Sequence, residues 1–106
     1  MTDKIIVFVT CESKQQADTI AEAIVTERLA ACVNALPGIR SCYVWEQKLT
    51  WSDEFLLLIK TTRGSFQELE AYVKALHSYS VPEIVGVPIV EANEQYADWI
   101  DKSVNG

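Results

Sequence analysis

Three segments of this chain are apolar on both faces of an extended backbone. In KIIVFVTC, residues 4–11, Ile5, Val7 and Val9 lie on one side and Ile6 and Phe8 on the other. In EFLLLIK, Leu56 and Leu58 oppose Phe55, Leu57 and Ile59. In EIVGVPIVEA, Ile84, Val85, Val87, Ile89 and Val90 occupy both sides. A sheet built from such strands needs cover on both faces. Any fold for the chain has to say where that cover comes from.

Helices can supply it for one face. SKQQADTIAEAIVTERL, residues 13–29, predicts a helix capped by Ser13, with Gln16 as capping-box partner. Its inward stripe is Ala17, Ile20, Ala21 and Ile24, with Ala23 and Val25 beside them. SFQELEAYVKALHSY, residues 65–79, predicts a second helix, with Ser65 and Glu68 as its box and Phe66, Leu69, Val73 and Leu76 facing inward. NEQYADWIDKSV predicts a short closing helix capped by Asn93, docked through Tyr96, Trp99 and Ile100.

Between the first two helices lie two long strands, residues 30–45 and 49–62, joined by the turn EQK. The order β-α-β-β-α-β-α predicts an α+β fold. It is a ferredoxin-like βαββαβ plait with an added C-terminal helix, one domain over residues 1–106. Pro37-Gly38 marks a bend in the first long strand. Pro88 demotes part of the last strand to an edge or a bulge.

Sixteen extended residues, 30–45, span roughly 50 Å. A compact domain of this size is about 35 Å across. The hairpin tip, carrying Tyr43, Trp45, Leu49 and Trp51, therefore projects. Exposed aromatic patches mark interfaces. Together with the double-sided strands, the tip predicts closed self-assembly.

Charge and cysteine usage remove other classes. A net charge of −6, with scattered Lys and Arg, opposes nucleic-acid binding. No apolar run approaches a membrane span, and the N-terminal segment is too short and too acidic for a leader, so a cytoplasmic protein is expected. Three widely spaced cysteines form neither a disulfide framework nor a C-x-x-C metal motif. No nucleophile elbow, phosphate loop or H-E-x-x-H occurs, and an enzyme is not expected.

ERLAACVN, PGIRSCYVW, EFLLLIKTT, HSYSVPEI and YADW stand here in the order and spacing found in the CutA family of divalent-cation tolerance proteins, which the chain resembles from Ile5 to Trp99. The resemblance implies a ferredoxin-like homotrimer with long strands passing between subunits. It also implies a non-enzymatic role in divalent metal tolerance, with copper or another divalent cation as a ligand and none obligatory. Two further readings stay open: a trimeric small-ligand sensor similar in architecture to PII proteins, taking an anionic or nucleotide-like ligand, and a structural scaffold. Family members usually carry glycine where this chain has Gln47, which puts the hairpin-tip conformation in question.

The candidate metal ligands are Cys32, His77 and Glu83. Thiolate favours Cu(I) and imidazole suits Cu(II). Cys32 matches the family's cysteine-bearing motif, and His77 opens its H-x-Y-x-x-P-E-I. With one histidine per chain, a closed site needs ligands from neighbouring subunits. Each has a structural alternative. Cys32 reads as a small apolar filler. His77 in a last helical turn would bond free carbonyls. Glu83 would form an intersubunit ion pair with Lys60 or Arg28. Tyr79, Tyr96 and Trp99 are expected to floor a pocket between terminal helix and sheet, or simply to pack. Asn34 and Lys60, polar on apolar strands, are grouped with this ligand pocket and are expected to line a subunit-interface cavity or to form a satisfied network.

Overall fold

The computed structural model describes residues 3–104. Its elements are β1 (Lys4–Cys11), α1 (Lys14–Thr26), β2 (Cys32–Trp45), β3 (Lys48–Thr62), α2 (Phe66–Leu76), β4 (Val85–Pro88) and α3 (Glu94–Ser103). The strands form one antiparallel sheet in the order β2-β3-β1-β4. This is the expected plait.

β1 alternates without a break. Ile5, Val7, Val9 and Cys11 are buried, while Ile6, Phe8 and Thr10 are half-buried. In register with the first set stand Thr61, Ile59, Leu57 and Phe55 of β3, and α1 and α2 cover this face. Ile20, Ile24, Leu69 and Val73 are fully buried against it. Each such side chain contributes about 1.5–3 kcal/mol of transfer free energy. Val25, expected near the inward stripe, is exposed.

The opposite face carries Leu36, Leu56, Leu58, Phe8, Ile6, Val85 and Val87 by the same registers. α3 reaches over one end of it. Ile100 and Val104 pack on Ala31, Lys4 bridges to Asp101, and Tyr96 lies against Cys32. Among the described residues no helix covers the rest.

α1 starts at the expected cap, where Ser13 Oγ accepts from the Gln16 N–H at 3.1 Å. The reciprocal half of the box does not form. Gln16 instead donates to Leu76 O and accepts from Ser78 N, tying α1 to the end of α2. α1 ends at Thr26, short of residue 29, in a Schellman turn: Arg28 N–H donates to Val25 O and Leu29 N–H to Ile24 O. Arg28 holds the left-handed position, φ 59°, while its guanidinium donates to Lys102 O and Ser103 O. The Ser65 box is absent, because a 3-10 turn over Arg63–Ser65 leads into α2 and gives Ser65 helical torsions. α2 stops at Leu76, three residues before the expected end, because His77 is already extended at ψ 143°.

β4 is much shorter than the predicted strand. Pro88 lacks an N–H, and beyond Ile89, which donates to Lys4 O, the neighbouring β1 has come to its start.

The hairpin bends at the expected place. Register shifts between Leu36 and Ile39, and Gly38 takes φ 77°. The molecule measures 45 × 25 × 22 Å, and the hairpin tip projects as anticipated. At the tip, Glu46 and Gln47 take φ of 49° and 67°, the positive pair of a type I′ turn. Each is a non-glycine residue in a region that costs about 1–2 kcal/mol. Gln47→Gly is expected to raise unfolding stability by about 1 kcal/mol, read as a shifted denaturant midpoint at constant slope. A lower midpoint would show that the Gln47 side chain holds the turn.

Candidate functional site

The polar residues singled out in the sequence fall into two separate groups. The first gathers at the end of β2 beside α3. Cys32 Sγ lies 3.4 Å from Tyr96 Oη, and Tyr96 stacks on Trp99 at 5.5 Å between centroids. The contact with Cys32, and then burial, push the Tyr96 phenol up to about 12. Cys32 pairs in register with Lys60, whose ammonium donates to Asn34 Oδ1. Asn34 and Lys60 thus satisfy each other on the uncovered face.

The second group lies at the far end of the sheet. After α2 the chain turns back, and His77 meets β1, with Nε2 2.7 Å from Thr10 O and Nδ1 3.1 Å from Tyr79 N. A backbone N–H can only donate, so Nδ1 carries the lone pair and Nε2–H donates to Thr10 O. Both ring nitrogens are used. The Tyr79 ring tilts against His77 at 4.7 Å, and its hydroxyl donates to Glu54 Oε2 at 2.6 Å. Burial, and then the hydrogen bond to this carboxylate, hold the Tyr79 phenol far above its ordinary range. Glu54 itself is only 6% exposed.

Expectations are corrected here for Tyr79 and His77. Tyr79 does not share a pocket with Tyr96 and Trp99, because the break at His77 sends it to Glu54 instead. His77 is outside the helix, and the carbonyl it serves belongs to β1. Within one chain the Lys60 and Arg28 donors go to Asn34 and to backbone carbonyls rather than to Glu83. Cys32, His77 and Glu83 are not brought together: among the described residues no three His, Cys, Asp or Glu side chains form a metal-holding group. Within one chain they do not fit a metal ion.

A cleft of about 710 Å³ opens between the projecting hairpin and the loop at residues 78–83. Tyr43 and Trp45 form its hairpin wall, with Tyr79, Glu54 and Glu83 opposite and below. Register puts Tyr43 and Trp45 on the Glu54 side of the hairpin and Leu49 and Trp51 on the other. Tyr43 Oη donates to Ser52 Oγ on its side, and Arg40 stacks over Trp51 at 4.4 Å on the opposite one. The arm is therefore apolar on both faces, as the sheet is. Sequence reasoning missed Glu54 and Thr10. Glu54 carried one usable signal, its period-2 spacing with Leu56 and Leu58.

With this geometry in place, the family model described as CutA1 divalent ion tolerance protein matches residues 5–103. The chain belongs to this family. The divalent-cation tolerance protein CutA of Thermus thermophilus is 52% identical over 95 residues, covering 90% of this chain and 92% of that protein. A solved Thermus structure superposes with a TM-score of 0.93 over 96% of this chain and 99% of that one, at 48% identity. The chloroplastic protein CutA 1 of Oryza sativa is 43% identical over 93% of this chain, which spans 56% of the rice protein's length. A structure described as the periplasmic divalent cation tolerance protein CutA of Archaeoglobus fulgidus gives a TM-score of 0.93 at 37% identity, over 96% and 99% of the two chains. In this CutA1 chain no helix among the described residues is long and apolar enough to cross a membrane.

Proposed function

We propose that this CutA1 chain works as a cytoplasmic homotrimer in tolerance of divalent cations, without catalytic chemistry of its own. The observation that carries the reading is the uncovered apolar face of the sheet, continued by an arm whose two sides bear Tyr43 and Trp45, and Leu49 and Trp51. One copy has no helix left to cover these surfaces, and a closed ring of copies covers them mutually. Cys32 and His77, a thiol and an imidazole, sit at opposite ends of one chain, which supports this reading. Fractionation of the source cells checks the compartment, because the Archaeoglobus relative is described as periplasmic.

Copper is the sharper half of the reading. His77 would have to give up its hydrogen bond from Tyr79 N–H to offer Nδ1, whereas Cys32 offers a partly exposed thiol whose hydrogen-bond partner is the Tyr96 phenol. Equilibrium copper titration of the purified protein is expected to weaken in Cys32→Ser and to stay within twofold of wild type in His77→Ala and Glu83→Gln. Loss of binding in His77→Ala with the fold intact would reverse the assignment.

The sensor reading draws support from the cleft, whose volume suits a small ligand. Its lining, however, holds Glu54 and Glu83 and, among the described residues, no Lys, Arg or His, which opposes an anionic or nucleotide-like ligand there. A scaffold would show no shift in thermal stability with metals or metabolites.

A further inference from the structure

We infer that Lys60 of one copy pairs with Glu83 of a neighbouring copy, so that the Asn34 and Lys60 side chains are one half of a site that a second chain completes. This rests on the closed assembly proposed above and names a contact inside it.

The helix-free face of the sheet carries opposite charges at its two ends. At one end Lys60 stands in the row Cys32, Lys60, Ile6, Val87, two residues along β3 from Leu58. At the other end Glu54, two residues from Leu56, lies on the same side of β3, and Glu83 lines the cleft with it. The six residues of strand from Glu54 to Lys60 span about 20 Å. One chain cannot fold its own two ends onto each other, but a second copy laid on the same face can.

Neither charge meets its opposite within one copy. The Lys60 ammonium donates to Asn34 Oδ1, a neutral acceptor, and among the described residues no carboxylate pairs with it. Glu83 likewise has no cationic partner among the described residues, and no described cation lines the cleft beside it. Glu54 is already engaged by the Tyr79 hydroxyl. Glu83, exposed on its loop, is therefore the acid of that end that remains available.

Burial decides which lysine needs the pair. Lys48, near the tip of the arm, is exposed, and its charge can stay in water. Lys60 is already half-buried beside Ile6 and Leu58, and an assembly that seals this face strips the remaining water from it. A desolvated ammonium held by one neutral amide is poorly compensated, and a carboxylate supplies both the opposite charge and a stronger acceptor. In a closed ring each copy gives its lysine to one neighbour and receives the lysine of the other on its own Glu83.

Charge reversal tests this by sedimentation of the full chain in increasing urea at one fixed chain concentration. Lys60→Glu and Glu83→Lys are each expected to lower the midpoint of trimer dissociation by roughly 1 M or more. The double variant, K60E with E83K, is expected to recover most of that loss. The two positions lie at opposite ends of one chain, so such a rescue has to be made between chains. Neutral variants carry the test if a reversed chain does not fold by circular dichroism. Lys60→Met and Glu83→Gln then each lower the midpoint, and the two together lower it no further than the worse single change. Single variants as tight as wild type, losses that add in the double variant, or rescue of Glu83→Lys by Lys48→Glu in place of Lys60→Glu would each overturn the pair. A wild-type chain that sediments as a monomer without urea sinks the assembly itself. A wild-type trimer indifferent to these charges sinks the pair and leaves the assembly standing.

Discussion

Replacing Leu58 by lysine is expected to turn a particle of about 36 kDa, three times the 11.9 kDa chain, into a monomer or a largely unfolded chain. Leu58 stands at the centre of the helix-free face, in register with Phe8 on one side and Asn34 on the other, and Val85 follows Phe8 in the same row. In a single copy this row is only half-buried or exposed, so the domain's own core, on the other face, does not depend on it. In an assembly that seals the face, each subunit would bury one ammonium among leucines. Burying a charge without a partner costs several kcal/mol, and a trimer incurs that cost three times. The same substitution in a protein that is natively monomeric would cost almost nothing, since a partly exposed lysine lays its stem along apolar surface and keeps its charge in water. Sedimentation at low micromolar loading, with circular dichroism beside it, reads both outcomes. A wild-type particle near 12 kDa, or a Leu58→Lys particle still of trimer mass, would sink the proposed assembly.

What could be read from the sequence, and what could not, divides along the distance over which residues act. β1, the bend at Pro37-Gly38 and the cap at Ser13 were legible because their causes are local: alternation, a missing N–H, a hydroxyl three residues from an amide. The double-sided strands were legible as well, and their uncovered side is where the registers place Phe8 and Leu58. The end of α2 was not. Periodicity runs through Leu76 toward Tyr79, but His77 leaves the helix for a carbonyl 67 residues earlier in the chain, and nothing near it in sequence announces that partner. Gln16 behaves alike, giving up its half of the box for the end of α2. The expected pocket failed for the same reason: Tyr79 and Tyr96 were grouped by residue type, while the break in the helix at His77 assigns them to opposite ends of the sheet. Glu54 reads as a surface acid in WSDEF, yet it is buried and accepts a hydrogen bond from Tyr79, 25 residues on.

That break makes His77 the residue with the most to lose on the polar side of the fold. His77→Ala is expected to lower unfolding stability by about 2–4 kcal/mol, the sum of two backbone groups left without partners. One is Thr10 O, at the end of β1 where the sheet has no further strand to offer, and the other is Tyr79 N–H. Partial replacements separate the two. In His77→Gln the amide nitrogen stands near the former Nε2 and can donate to Thr10 O, while Tyr79 N–H loses its acceptor. In His77→Asn the amide oxygen stands near the former Nδ1 and can accept from Tyr79 N–H, while Thr10 O loses its donor. Each is expected to recover roughly half of the loss, and neither all of it, because only the imidazole spans both groups at once. Denaturant unfolding of the four proteins at matched concentration measures this, with amide exchange at Tyr79 as the local readout: fast in the alanine and glutamine variants, protected in wild type and asparagine. An alanine variant as stable as wild type would show that the ring's two contacts contribute nothing net. The loop at residues 78–83, and with it the Tyr79 to Glu54 hydrogen bond, would then owe its placement to packing alone.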